Sequence, residues 1–405
     1  MIMDAGVVII LLAEAALCML ILYFEGLLRR SSHVVTAAVL VVAAFGVRLA
    51  CMSHVTLDYE NFLAGWVQFF RENGGFRALS QSVGNYNVPY LYFLAAFSYS
   101  SMNDLYLIKL LSIFFDVMLA WGATHLANRF VGTPGKLLGC FFGVLLLPTV
   151  VLNGAYWGQC DSIYAAFALW AVYFALEKHP VAAMVCAAVS FGFKLQAVFI
   201  LPFFVVLLAA RRMKLWHFLV FPIAYVALVL PAVLLGRPLW DTVTLYFSQM
   251  GSVGGGLNYN SPSVFAFADK VQNTKLAGYL GIAAAALLVL AVILWVWKRR
   301  GTLSDITLLG IAVLLCIGIP FLLPHMHDRY FFLADIFSLV FGLALPWYGA
   351  VPVLVQFASL NSYLAYLRNR FLLYMPYGAA AMAVALLLIV IFTGVQLRET
   401  GRRRT

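Results

Sequence analysis

Apolar residues run along this chain in long stretches, and polar residues gather in the short breaks between them. Long apolar runs predict helices, because a backbone surrounded by lipid must satisfy its own N–H and C=O groups. The spans drawn this way are 5–28, 34–53, 105–127, 137–153, 161–178, 181–193, 195–210, 215–236, 276–297, 303–323, 330–345, 349–366 and 375–397. A bilayer core of ~30 Å needs about twenty helical residues at 1.5 Å each, so 181–193 and 195–210 are short. The first run, Ala5–Leu28, is too long for a signal-peptide core and has no basic residue before it, and is expected to be retained as a span. The expected fold class is an all-α polytopic membrane protein of about thirteen transmembrane helices, one transmembrane domain over 1–405.

Composition strengthens that reading. Of 405 residues, 64% are hydrophobic and 10% charged, against roughly 25% charged in soluble domains. So few charges cannot cover a water-facing surface. The net charge of +10 is not spread as a nucleic-acid footprint. It sits in short clusters: Arg29-Arg30, Arg129 with Lys136, Lys178, Arg211-Arg212 with Lys214, Lys298-Arg299-Arg300, and Arg402-Arg403-Arg404. All of them face the cytoplasm if Val88–Ser101 is a re-entrant or interfacial helix that does not cross. The N-terminus is then outside and the C-terminus inside. The six cysteines form no CxxC pair and read as small apolar residues.

This topology leaves two sizeable loops, both external: 54–104, holding the interfacial helix, and 237–275. The second includes Gly251-Ser252-Val253-Gly254-Gly255-Gly256, expected to be flexible. No heptads, soluble domain or internal repeat stand out, nor the paired interrupted helices of a transporter.

Polar residues at membrane depth are costly and mark candidate sites. Here they collect on one expected side. They are Asp58-Tyr59-Glu60, Asn85-Tyr86-Asn87, Tyr156-Trp157-Gly158-Gln159-Cys160-Asp161, Lys194 with Gln196, and His325-Met326-His327-Asp328-Arg329-Tyr330. A carboxylate such as Asp58 can take a proton from a hydroxyl nucleophile, or be an ordinary loop acid. Lys194 and Arg329 can bind a lipid phosphate or snorkel. Asp161 can cap a helix. Tyr86, Tyr156 and Trp157 can stack on a sugar ring or belong to an interfacial belt. His-x-His-Asp is a weak metal-site pattern, because zinc sites usually need more ligands at recognisable spacing. Asp58, Glu60 and Asp161 are the carboxylates that could assemble a divalent-metal site if the fold gathers them. Gly254-Gly255-Gly256 lacks the context of a phosphate-binding loop.

The order of these blocks resembles the GT-C glycosyltransferases, polytopic enzymes that use polyprenyl-phosphate sugars. Asp58-Tyr59-Glu60 follows an early span. Tyr86-Asn87-Val88-Pro89-Tyr90-Leu91-Tyr92, Asn153-Gly154-Ala155-Tyr156-Trp157-Gly158-Gln159-Cys160-Asp161-Ser162, Phe193-Lys194-Leu195-Gln196 and His325-Met326-His327-Asp328-Arg329-Tyr330-Phe331-Phe332 follow in turn. The chain is similar to the dolichyl-phosphate-glucose-dependent glucosyltransferases of asparagine-linked glycosylation. It looks still more like bacterial mannosyltransferase-like membrane proteins. The blocks cover roughly residues 55 to 340.

The resemblance implies a GT-C-like bundle and inverting transfer of a hexose, mannose or glucose, from a polyprenyl-phosphate donor to a glycan or glycolipid acceptor. It implies Asp58 as the general base, and Lys194, Arg329, His325 and His327 at the donor phosphate. Tyr59, Glu60, Tyr86, Trp157, Gln159, Asp161 and Gln196 would contact substrate. No cofactor or obligate metal is implied; the partners are donor, acceptor and membrane lipid, with no nucleic acid. The expected location is a bacterial plasma membrane with the site facing outside. Departures are Asn87-Val88-Pro89 where a doubled proline is usual, Asp328 where glutamate is common, and an extra span before the catalytic loop. A transporter or flippase of lipid-linked glycans is the alternative. It would need charge lining several spans, for which Arg48, Lys109 and Asp116 are the obvious candidates.

Overall fold

The structure, a computed structural model, describes residues 5–249, 255–268, 273–299 and 303–402. Most of the glycine-rich stretch 251–256, the central part of the 237–275 loop, and Arg300, Arg403 and Arg404 lie outside the described residues.

The chain folds as helices in the order the apolar runs suggest. The helices are α1 (Ala5–Phe24), α2 (Ser31–Cys51), α3 (Ala64–Glu72), α4 (Val88–Phe97), α5 (Asp104–Asn128), α6 (Pro134–Leu145), α7 (Pro148–Val151), α8 (Asp161–Leu176) and α9 (Pro180–Phe193). They continue with α10 (Pro202–Ala209), α11 (Val220–Leu234), α12 (Leu239–Val243), α13 (Leu245–Gln249), α14 (Thr274–Lys298), α15 (Asp305–Leu322), α16 (Phe332–Ala344), α17 (Ala350–Leu367) and α18 (Met375–Arg402). Among the described residues the only strands are β1 (Asn258–Tyr259) and β2 (Met326–His327), paired in parallel.

The chain is a multi-pass integral membrane protein, but thirteen full spans are not what the helices provide. Among the described residues eight helices are long and apolar enough to cross: α1, α2, α5, α11 with the turn before it, α14, α15, α17 with its preceding turn, and α18. A ninth appears if Pro134–Leu145 and Pro148–Trp157 count as one span bent by 42°. The segments expected at 161–178, 181–193, 195–210 and 330–345 are shorter apolar helices. Their caps and breaks explain this. Asp161 starts α8 only after a reversal at Gly158, and Lys194 interrupts the run between α9 and a 3₁₀ turn at Leu195–Phe199. The helix α4 has ten residues, about 15 Å, too short to span. Asn87 caps it by accepting from the Val88 N–H at 2.8 Å, and Pro89 occupies its first turn.

Two compact units emerge. Unit 1 holds residues 1–173, 182–195 and 220–252, and unit 2 the remainder. In unit 1 the central post is α5, whose apolar window is 67% buried; it packs on α1 and α6, while α2 packs on α1 and α6. Its buried charge is matched. Arg48 of α2 donates to Asp116 of α5 at 2.8 and 3.2 Å, and to the Leu145 and Ala44 carbonyls. Unit 2 is built on α15, 83% buried and apolar on every face, with α14, α16 and α18 against it. The α1, α2, α11 and α14 windows are buried over 28% or less, as helices with lipid-facing sides are.

Candidate active site

Two π-helical turns frame the site in unit 1. One, Tyr59–Leu63, begins immediately after Asp58; the other, Leu152–Trp157, ends the bent α6–α7 segment. Such turns widen the helix and re-aim side chains, and they recur at functional sites. After the second, Gly158 takes a φ of +80°, reversing the chain before α8. Thr56 ties the two together by donating to the Trp157 carbonyl at 3.0 Å. The Ser112 hydroxyl of α5 donates to the Gln159 carbonyl at 2.7 Å. Lys109 holds the approach to Asp58: its ammonium donates to the Cys51, Met52 and His54 carbonyls at 2.8, 3.2 and 2.6 Å, closing the α2 C-terminus.

That scaffold aims two donors at one carboxylate oxygen. The Trp157 indole N–H donates to Asp58 Oδ2 at 2.9 Å, and Gln159 Nε2 donates to the same oxygen at 2.7 Å. Tyr86 donates its hydroxyl to Gln159 Oε1 at 3.2 Å. The Tyr86 ring lies under the Lys194 ammonium, 5.6 Å from the ring centroid, a cation–π distance. Lys194 also pairs with Asp161 Oδ1. Asp161 Oδ2 accepts from Asn153 Nδ2 at 2.6 Å, and the Asp161 N–H donates back to Asn153 Oδ1 at 3.3 Å. Trp157, Gln159, Asp161 and Lys194 are all buried, and Asp58 and Tyr86 are half-buried.

Six expected site residues therefore form one connected network: Asp58, Tyr86, Trp157, Gln159, Asp161 and Lys194. A base-type carboxylate stands at one end and a cation at the other. Aromatic rings flank it. Tyr86 meets Trp66 edge-on at 5.4 Å and Tyr90 at 5.0 Å, and Tyr156 stacks on His54 at 3.7 Å. Tyr59 and Glu60 stand outside the network. Glu60 is exposed; burial raises the Tyr59 phenol above its ordinary pKa, and the Asp104 carboxylate adds to that.

The remaining expected residues belong to unit 2. His325 has φ +61°, and its Nδ1 lies 2.6 Å from the Gly256 carbonyl. The β1–β2 pairing sets His327 against Tyr259, stacked at 4.6 Å. Arg329 Nε is 3.6 Å from Asp328 Oδ1, and Ser362 donates to the Asp328 carbonyl at 3.0 Å. Gln196 sits in the 3₁₀ turn after Lys194, its Oε1 buried and without a hydrogen-bond partner among the described residues. Asp58, Glu60 and Asp161 do not assemble a metal-binding group, and among the described residues no three His, Cys, Asp or Glu side chains do. Asn153, Thr56 and Ser112 were not expected as site residues. Their signal was limited to a place inside or beside a polar block, and for Ser112 there was none.

No protein-family model matches the chain, and no curated protein is significantly similar to it.

Proposed function

We propose that this chain is an inverting glycosyltransferase of GT-C type that moves one hexose, mannose or glucose, from a polyprenyl-phosphate carrier to a glycan or glycolipid acceptor. The reading places the reaction at the outer face of a bacterial plasma membrane. The observation that carries it is the connected run Asp58–Gln159–Tyr86–Lys194. It joins an oriented carboxylate to a buried cation across an aromatic ring. Those are the groups this transfer needs: a base, a phosphate ligand and a surface for a sugar.

In this mechanism the acceptor hydroxyl gives its proton to Asp58 as its oxygen attacks the anomeric carbon. The bond from that carbon to the phosphate oxygen breaks, and configuration inverts. Polyprenyl phosphate leaves carrying the electron pair, and its negative charge is met by the Lys194 ammonium. That ammonium is paired with Asp161 in the free protein, so donor phosphate and Asp161 would share it. The assignment of His325, His327 and Arg329 to the same phosphate rests on the resemblance alone. The transporter reading draws less support. Arg48 and Asp116 are committed to each other, and Lys109 to three carbonyls, so the three charges it drew on serve packing.

Purified protein incubated with short-chain polyprenyl-phosphate mannose and glucose tests the proposal. Asp58→Asn should lower transfer by about a hundredfold or more while leaving the protein folded and able to bind donor. Lys194→Ala should weaken donor affinity by about tenfold or more. Full transfer by Asp58→Asn would reject this carboxylate as the base, and unchanged donor affinity in Lys194→Ala would reject the phosphate role.

A further inference from the structure

We infer that Gln159 is a positioning residue that locks the Asp58 carboxylate into one orientation and links it to the Lys194 site through Tyr86. As a statement about catalysis this rests on the proposed transferase reading; as a statement about Asp58 it rests on geometry alone.

The orientation of the Gln159 amide is fixed by its two partners. An ionised carboxylate only accepts hydrogen bonds, so the amide must present its NH₂ to Asp58. Its oxygen then faces Tyr86, whose hydroxyl can donate, and the contact is made at 3.2 Å. Turning the amide over would set its oxygen against Asp58 Oδ2, now 2.7 Å from the nitrogen, and two acceptors repel at that range. The Asp58 carboxylate thus selects the amide rotamer, and the Tyr86 hydroxyl holds it by donating to the amide oxygen. Trp157 supplies a second donor to the same oxygen at 2.9 Å. With Oδ2 held by two donors, the carboxylate plane is set and Oδ1 is directed by it.

Burial gives these bonds their weight. Gln159 is 4% exposed and Trp157 1%, so water competes little for their donors. Backbone bonds hold both residues: Thr56 on the Trp157 carbonyl, Ser112 on the Gln159 carbonyl, and the Gln159 N–H on the Asn153 carbonyl at 2.9 Å. Asn153 in turn holds Asp161, the partner of Lys194.

The test reads the Trp157 indole N–H, whose resonance reports its bond to Asp58 Oδ2. The full-length protein is purified in detergent with ¹⁵N-tryptophan. Of its nine tryptophans, the signal lost in Trp157→Phe is the reporter. Asp58→Asn should displace that signal, which fixes the response to a change at the carboxylate. Gln159→Leu removes the second donor to the same oxygen and should displace it as well, because the carboxylate is no longer held in one orientation. Tyr86→Phe removes only the hydroxyl that holds the amide oxygen, keeps the ring under Lys194, and should displace the signal by less. Because it is the milder change, it keeps the test decisive if Gln159→Leu does not fold. A Trp157 signal at its parent position in the folded variants would overturn the inference. The transferase reading fails separately, by retained transfer in Asp58→Asn, an outcome that leaves the resonance result standing.

Discussion

Gly158 is the residue on which the aim of both carboxylate donors depends. Its φ of +80° lies where an L side chain crowds the following carbonyl. Space is not the obstacle, because an added Cβ would meet its nearest neighbours, Lys109 Cγ, Ile108 Cγ2 and Lys109 Cε, at 3.7, 3.8 and 3.9 Å, ordinary contact distances. Gly158→Ala should therefore destabilise by about 1–2 kcal/mol through backbone conformation. Relaxation of that strain would rotate Gln159 away from Asp58. Thermal unfolding of the detergent-solubilised variant measures the first effect; a midpoint within error of the parent protein would show that the turn accommodates alanine. At this scale the sequence was readable in part. Tyr86, Trp157, Gln159, Asp161 and Lys194 stood out because polar and aromatic groups are conspicuous between apolar runs. What each one touches was hidden, since Asp58 and Gln159 are 101 positions apart. The π-helical turns that aim them left no composition signal.

At the scale of elements, the charged residues inside the helices explain how α2 and α5 are locked. Arg48 and Asp116 are fully buried on both sides of their bond, and Asp116 also accepts from Ser162. Removing one partner strands a charge away from water, which typically costs about 3–5 kcal/mol. Replacing both by apolar residues of similar size is often neutral. Arg48→Met alone should thus lower stability by that amount, and Arg48→Met combined with Asp116→Leu should recover most of it. Thermal unfolding of the single and double variants forms the cycle. A double variant as unstable as the single would mean that the guanidinium bonds to Leu145 and Ala44 carry the stability instead. The sequence marked these charges as possible transport machinery because pairing across 68 positions cannot be read from local pattern. The helices themselves were legible, because a lipid-embedded backbone leaves few alternatives. Their lengths were less so. The breaks at Gly158 and Lys194 were visible between apolar runs, but hydropathy does not show how early α8 and α9 end, because turns and helix ends set their lengths.

For the whole molecule, the short helices decide how many times the chain crosses. From Gln81 to Lys178 the chain passes through α5, the bent α6–α7 segment and α8. Three crossings put those residues on opposite sides of the membrane; two put them on the same side. The helix α8 has 16 residues, about 24 Å of helix against a core of ~30 Å. It can reach across only if it stands nearly upright or the bilayer thins around it. The basic clusters favour crossing, since Arg30 and Lys178 then share the cytoplasmic side. Arg368 and Arg370 go against the trend, because the same count leaves them outside. Single cysteines introduced at exposed positions, read with a membrane-impermeant maleimide, settle the parity. Gln81→Cys and Trp240→Cys should label in intact cells, whereas Arg30→Cys and Lys178→Cys should label only after permeabilisation. If Lys178→Cys labels from outside together with Gln81→Cys, α8 does not cross and every later segment changes side. If Gln81→Cys is itself protected in intact cells, the loop that carries Asp58 faces the cytoplasm, and an outward-facing transferase is untenable.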